Sequence, residues 1–165
     1  MNKINVFMSV FALSSVSVVW AAGEHGGGHG PEETEMMRAS AVGMSAEYSP
    51  GNQQVDVILK DTMRMEFSPS LDTLKAGDAV TFLVVNEGKE PHEFSIGNEQ
   101  EQSARREMMK KMPDMKHATD NTVTLSPGGE GELNWRFDGD GEVLFACNMP
   151  GHFEAGMMLK AQIIN

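Results

Sequence analysis

The 165-residue chain has little cysteine, few basic residues and one long apolar run. Its single cysteine, Cys147, stays unpaired within the chain and excludes any centre that needs two thiolates. Lysine and arginine number 13 against 24 acidic residues, so the formal net charge is −11. A chain this acidic repels nucleic acid and anionic lipid at long range, which excludes both as partners. The length predicts one domain with one core.

The long apolar run spans residues 4–20 and is interrupted by serines. Lys3 precedes this run and small residues follow it, so residues 1–21 are predicted to be a secretory signal peptide. The run is too short and too rich in serine for a stable membrane span, and no membrane anchor is expected after processing. The predicted location is the periplasm, an oxidising compartment in which an unpaired cysteine is a liability unless a ligand occupies it.

Short apolar segments separated by glycine and proline turns fill residues 51–165. Residues 79–85 are nearly all apolar and are expected to form a central strand buried on both faces. Residues 131–137 alternate apolar with polar side chains, as in a half-buried strand, and residues 138–141 are interpreted as a hairpin turn. Seven or eight such strands predict an all-β fold, an antiparallel Greek-key β-sandwich.

Two segments depart from the strand pattern. Residues 22–50 contain a glycine-rich stretch with histidines, followed by methionines, and are expected to form a flexible segment ahead of the domain. Residues 99–117 contain no β-branched residue and are predicted to form a helical insertion that lies against a sheet.

The residues with the most distinctive chemistry lie at 147–157, with the sequence CNMPGHFEAGM. Cys147 is followed five positions later by His152 and five further by Met157, with a Pro-Gly turn between the first two. Thiolate, imidazole and thioether donors suit copper, and a His₂Cys plane with a long axial Met is the blue-copper arrangement. The second imidazole is assigned to His92, at the start of a strand-like segment upstream.

These residues resemble the cupredoxins, the plastocyanin- and azurin-like blue copper proteins, and especially the exported single-domain copper-tolerance cupredoxins. The resemblance rests on residues 86–94 followed by Cys147, His152 and Met157, and it covers roughly the last two thirds of the chain. It implies a cupredoxin domain at residues 51–165 that holds one type 1 copper.

Three alternatives at this site stay open. Met158 is a rival axial ligand, although its side chain should point to the opposite face of the strand. Zinc fits the same donors when copper is absent. Many blue-copper carriers have Asn after the first histidine ligand and Thr or Ser after the cysteine, where this chain has Glu93 and Asn148. The carboxylate of Glu93 is therefore a competing candidate ligand.

In the predicted helix, Met108, Met112 and Met115 fall on one face and are interpreted first as packing against the sheet. Met109 lies on the opposite side of the helix and is expected to face water. The alternative is a secondary Cu(I) site, because thioethers select the reduced ion. The candidate secondary metal residues are His25, His29, Met108, Met112, Met115 and His117.

Two functions are compatible with this reading. The first, preferred because of the histidines and methionines outside the main site, is a periplasmic protein for copper handling and tolerance, with oxidation of Cu(I) left open. The second is a diffusible electron carrier that exchanges electrons with a periplasmic redox protein through the apolar residues around His152. A monomer is expected in either case.

Enzymatic classes fit less well. A multicopper oxidase needs paired His-x-His motifs, which five scattered histidines do not supply. Cys147 and His152 imitate a nucleophile and its base, but no third group to orient them is apparent. The chain is therefore predicted to bind copper rather than to be an enzyme.

Overall fold

The computed structural model describes residues 39–112 and 119–165, which form eleven strands and one helix in two layers. In chain order these are β1 (Ala39–Ser40), β2 (Gly43–Ser45), β3 (Gln53–Lys60), β4 (Arg64–Ser68), β5 (Thr73–Lys75), β6 (Ala79–Asn86), β7 (His92–Gly97), α1 (Glu99–Lys111), β8 (Thr122–Leu125), β9 (Glu130–Phe137), β10 (Gly141–Ala146) and β11 (Met158–Ile164). One sheet has the order β1-β2-β9-β6-β3-β4 and the other β5-β11-β10-β7-β8. The predicted all-β sandwich with a helical insertion is confirmed, with more strands than the expected seven or eight.

Aromatic side chains from both sheets fill the core between the layers. Phe82 comes from β6, while Phe94 and Phe145 come from β7 and β10 of the other sheet. Their ring centroids lie 5.1 to 5.8 Å apart. Burial of each such side chain contributes about 1.5–3 kcal/mol. Since Phe94 and Phe145 lie two positions from His92 and Cys147, the core also fixes the strands that carry those residues.

The strand connections differ from the expected antiparallel arrangement. β3 pairs with β6 in parallel, and so does β5 with β11, because the chain passes through the opposite sheet between the two partners. The turn at 138–141 was expected to close a hairpin, but it joins β9 in one sheet to β10 in the other. Turn residues mark where a chain reverses, and they carry no information about which layer it enters next.

Residues ahead of 51, where the cupredoxin domain is expected to begin, also contribute strands to the sandwich. β2 pairs antiparallel with β9, which adds residues 43–45 to the six-stranded sheet. The side chain of Glu101 in α1 accepts hydrogen bonds from the Ser40 hydroxyl at 2.7 Å and from the Ala41 backbone N–H at 2.8 Å. Backbone pairing and one distant carboxylate thus order a stretch whose composition carries no strand pattern. Residues 22–38 of the expected flexible segment, and the predicted signal peptide, lie outside the described residues.

Helix α1 starts at a capping box. The Asn98 side chain accepts a hydrogen bond from the backbone N–H of Glu101, and the Glu101 side chain accepts one from the backbone N–H of Asn98. The helix covers the outer face of β7, and all six residues of this strand are buried. β6 was expected to be buried on both faces, but it has half-buried residues on one face. In the described ranges no helix is long and apolar enough to cross a membrane.

The prediction about the methionine face of the helix was wrong. Met109 is buried with Gln102 and Arg105, whereas Met108 is only half-buried and Met112 is 39% exposed. Hydrophobic spacing failed because the inward face of α1 is set by two polar side chains that find buried partners in the sheet.

Candidate metal centre

Three strands deliver the predicted ligands to one end of the sandwich. β7 begins at His92, and its antiparallel neighbour β10 ends immediately before Cys147. β11, which pairs with β10 on its other side, starts just after Met157. The loop of residues 147–157 that connects β10 to β11 carries His152. Antiparallel pairing therefore places residues from two distant parts of the sequence side by side.

The donor atoms of His92, Cys147 and His152 converge. The Nδ1 atoms of the two histidines lie 3.2 Å apart, and the Sγ atom of Cys147 lies 3.4 Å from Nδ1 of His152. All three donor atoms lie within 4.8 Å of one another. Ligands that share one ion at about 2 Å each must lie roughly 3–4 Å apart, so the geometry fits one shared metal. In residues 39–112 and 119–165 no other group of three or more His, Cys, Asp or Glu side chains meets this condition.

Burial shifts the pKa values of Cys147 and His152. Cys147 is fully buried, which raises the pKa of its thiol to about 12, so the metal-free protein carries a neutral thiol at pH 7. His152 is half-buried, and burial together with the neighbouring His92 lowers its pKa. A neutral imidazole has a lone pair for a metal, whereas the thiol must lose its proton before it binds one.

Backbone hydrogen bonds shape the loop around the site. The backbone N–H of Cys147 donates to the carbonyl of Met157 at 3.1 Å, and the N–H of Met157 donates to the carbonyl of His152 at 3.0 Å. The Met157 side chain is fully buried, whereas that of Met158 is 38% exposed. This contrast favours Met157 over Met158 as the axial ligand, and the assignment itself stays a prediction.

The second ring nitrogen of His92 has a carboxylate partner that the sequence did not reveal. Nε2 of His92 lies 3.0 Å from Oδ1 of Asp61, in the turn between β3 and β4. Hydrogen bonds from the backbone N–H of Lys89 and from His92 lower the pKa of Asp61, which keeps its carboxylate ionised. A carboxylate accepts only, so the ring proton belongs on Nε2 and Nδ1 is free for a metal.

Glu93, the candidate competing ligand, turns its carboxylate to a partner on α1. Its carboxylate is fully buried and bound by Arg105 of α1 through two hydrogen bonds, of 2.8 and 2.7 Å. The backbone N–H of Glu93 instead points at the site and donates to Sγ of Cys147 at 3.3 Å. Because the buried Glu93 carboxylate already has a strong bidentate partner in Arg105, this contact disfavours Glu93 as a metal ligand.

A buried polar network of Glu93, Gln102, Arg105 and Asn148 joins the helix to the site. The Asn148 amide donates to Glu93 at 3.1 Å and to Gln102 at 2.7 Å. The Gln102 amide in turn donates to the carbonyls of Ser95 in β7 and Leu144 in β10. The residues after His92 and Cys147 are therefore held by the same helix.

Outside this network, two further contacts attach α1 to the loop of residues 147–157. The Arg106 guanidinium lies 3.7 Å from the ring centroid of Phe153, and Lys110 lies 3.6 Å from the Glu154 carboxylate. The sequence placed Glu93 and Asn148 next to candidate ligands, but their partners on the helix carry no local pattern that reveals them.

The secondary metal residues receive no support from the described structure. Met108 is half-buried and Met112 is exposed on the helix. His25, His29, Met115 and His117 lie outside the described residues, so a secondary site stays a prediction.

Two imidazoles and one thiol that converge at one end of a two-sheet β-sandwich fit the type 1 site of a copper-binding cupredoxin. A family model gives the same answer from the sequence. The chain belongs to the plastocyanin/azurin family of copper binding proteins, whose model matches residues 53–164.

Two named proteins show which members of the family this chain is similar to. A protein of Vibrio cholerae serotype O1 named copper-resistant cuproprotein CopI is 47% identical over 124 residues, which are 75% of this chain and 73% of the relative. A Rubrivivax gelatinosus protein of the same name is 34% identical over 157 residues, which are 94% of this chain and 93% of the relative. Both comparisons cover the greater part of each chain.

Solved structures confirm the fold. Auracyanin B superposes with a TM-score of 0.58 at 21% identity, over 76% of this chain and 96% of that one. Reduced auracyanin from Roseiflexus castenholzii superposes with a TM-score of 0.56 at 17% identity, over 69% of this chain and 98% of that one. At these identities the likeness establishes the fold alone.

Proposed function

We propose that this chain is an exported, periplasmic cupredoxin that binds copper and protects the cell against copper excess. The observation that carries the proposal is the convergence of the donor atoms of His92, Cys147 and His152, of which the first two are buried and the third is half-buried. The two relatives described above, which are named copper-resistant cuproproteins, support the tolerance role. The predicted signal peptide supports export.

In this proposal His92, Cys147 and His152 would hold the copper, and the thioether of Met157 would be a fourth, weaker ligand. When bound, copper supplies one-electron chemistry between Cu(I) and Cu(II). The chain's own contribution is to hold mixed nitrogen and sulfur donors in a buried pocket braced by α1. Such a pocket changes little between the two oxidation states, because the ligands are fixed by the core and by the helix.

The role is binding rather than catalysis. Cys147 is fully buried and its thiol has a pKa of about 12, so it is a poor nucleophile in the metal-free protein. One reaction remains to be tested, the oxidation of Cu(I) by the copper-loaded protein. Oxygen uptake is followed when Cu(I) is added to that protein.

A deletion strain tests the tolerance role. Growth at rising copper concentration is compared for the deletion strain carrying wild type, Cys147→Ser or Lys111→Ala, with protein levels checked by immunoblot. Lys111 is an exposed charge at the end of α1 and serves as the control. We expect wild type and Lys111→Ala to restore growth and Cys147→Ser to fail. Normal growth of the deletion strain in copper, together with a respiratory defect, refutes the tolerance role.

Electron transfer is the second candidate, and one observation favours it. His92 is fully buried, but His152 is half-buried and lies beside half-buried Met149 and Phe153. One candidate ligand thus reaches the surface beside two partly exposed apolar side chains, a feature expected of a docking site for a redox partner. A single copper per chain with rapid electron self-exchange supports the carrier. More than one tightly held copper supports handling and implicates the candidate secondary residues.

Export is tested separately. Fractionation of cells that express the full chain, followed by sequencing of the mature amino terminus, should find the protein in the periplasm with residues 1–21 removed. Recovery of the uncleaved chain in the cytoplasmic fraction refutes the proposed location.

A further inference from the structure

Asp61 lies against His92, the fully buried histidine of the proposed copper site. Its Oδ1 atom lies 3.0 Å from Nε2 of His92, and its side chain is 38% exposed while that of His92 is fully buried. The contact joins the β3–β4 turn to the first residue of β7, 31 positions later in the chain. The carboxylate is thus the link between a buried ligand and the surface on this side of the site.

The carboxylate of Asp61 is held in place rather than free to turn. The backbone N–H of Lys89 donates to Oδ2 at 2.7 Å, and that of Glu90 donates to Oδ1 at 3.3 Å. These two donors come from the segment that leads into β7. One segment therefore positions both the imidazole and its carboxylate partner.

Gly88 shows how closely that segment wraps the pair. A Cβ atom at this position would come within 2.9 Å of Nε2 of His92 and would collide with Oδ1 of Asp61. Any side chain here would separate the carboxylate from the imidazole. Glycine is therefore needed for close approach of the backbone, and the Asp61–His92 contact is built into the loop rather than a chance meeting of surface groups.

We propose that Asp61 is a positioning residue for the copper site: it fixes His92 with the proton on Nε2 and Nδ1 toward the metal, and it makes the imidazole a stronger donor. A histidine ligand that donates its second N–H to a carboxylate is oriented by it and becomes more basic. A stronger donor with a nearby negative charge favours Cu(II) over Cu(I). Asp61 therefore lowers the reduction potential of the bound copper.

The test compares reduction potentials of three copper-loaded proteins, measured by spectroelectrochemistry. Asp61→Asn keeps the size and a hydrogen-bond acceptor but removes the charge, and Asp61→Ala removes both. Glu90→Gln is the control, because it removes an exposed negative charge close enough to affect His152 while making no contact through its side chain with His92. Mutation of a residue that hydrogen-bonds to a metal-ligating histidine typically lowers metal affinity or activity 10–100-fold.

We expect Asp61→Asn to lower the preference for Cu(II) at least tenfold, which for a one-electron couple raises the potential by about 59 mV. Asp61→Ala should raise it further, and Glu90→Gln should raise it much less. Equal shifts in Asp61→Asn and Glu90→Gln would show that only net charge matters, and no shift in Asp61→Asn would remove its role. Either result overturns the proposal.

A measurement on wild type covers the case in which the variants fail to fold. In the diamagnetic Cu(I) protein, nitrogen-15 NMR of the imidazoles should show His92 protonated at Nε2, with that proton shifted downfield and slow to exchange. A deprotonated or rapidly exchanging Nε2 overturns the proposal. The inference rests on His92 as a copper ligand, which is tested independently: His92→Ala should abolish the type 1 spectrum, whereas the Asp61 variants should keep it.

Discussion

The carboxylate of Glu93 accepts a hydrogen bond from the side-chain amide of Asn148 at 3.1 Å, and so links the residues that directly follow His92 and Cys147. Arg105 of α1 binds the same carboxylate with two hydrogen bonds. The two strand ends that carry the proposed ligands are thereby braced by a helix inserted between β7 and β8. In place of the Asn and the Thr or Ser expected from blue-copper carriers, this chain has Glu93 and Asn148, which both hydrogen-bond to side chains of this helix.

Loss of Arg105 should damage both stability and the site. Arg105→Ala leaves the Glu93 carboxylate buried without its main cationic partner, and breaking a buried ion pair in this way costs about 3–5 kcal/mol. We expect a lower midpoint in denaturant and an altered Cu(II) absorption spectrum, because Glu93 also donates its backbone N–H to Cys147. Lys111→Ala, on the exposed side of α1, should behave like wild type.

A double variant separates the ion pair from simple loss of packing. Glu93→Gln combined with Arg105→Ala should recover part of the lost free energy of unfolding, because no unpaired charge remains buried. If the double variant is as unstable as the sum of the two single variants, Glu93 and Arg105 are not coupled.

The axial position should respond to Met157 but not to Met158. Met157→Leu removes a buried thioether and replaces it with an apolar side chain of similar volume. Copper should stay bound, because the bond to the axial ligand is the weakest of the set, but the colour and reduction potential should change. Met158→Leu, at an exposed neighbouring position, should leave both unchanged. Visible absorption and paramagnetic resonance of the Cu(II) proteins measure this. An unchanged spectrum in Met157→Leu removes Met157 from the ligand set.

The two faces of α1 should differ in their tolerance of truncation. Met109 is 3% exposed, so Met109→Ala leaves a cavity and should cost about 2–5 kcal/mol in unfolding free energy. Met112→Ala, at 39% exposure, should change it by less than about 0.5 kcal/mol. Urea denaturation of the metal-free proteins gives both values. The opposite ranking would restore the methionine face that the sequence predicted.

Copper binding should release a proton from Cys147. Burial raises the pKa of this thiol to about 12, so it is protonated at pH 7.5 in the metal-free protein and ionised when a metal is bound. About one proton should appear per Cu(II), and apparent affinity should rise with pH up to about tenfold per unit. His152 adds no proton at this pH, because its pKa is lowered. A pH-stat titration measures the release, and Cys147→Ser should release none.

The sequence by itself predicted the fold class, the metal and a set of four candidate ligands. Short apolar segments with glycine and proline turns predicted the β-sandwich, and the spacing of Cys147, His152 and Met157 with an upstream His92 predicted one copper site. These features succeed because they are local: a strand is recorded in alternating burial and a metal loop in donor spacing. His92 could be assigned only because few histidines compete for the role.

The tertiary structure alone decided what surrounds those donors. Asp61 behind His92, Arg105 on Glu93 and Gln102 on Asn148 are contacts between residues 12 to 46 positions apart, and none leaves a periodic trace. The inward face of α1 was misassigned for the same reason, because the spacing of apolar residues identifies only a helix face that is buried through the hydrophobic effect. Here the inward face packs largely through hydrogen bonds and an ion pair, whose partners become known only when the strands lie beside the helix.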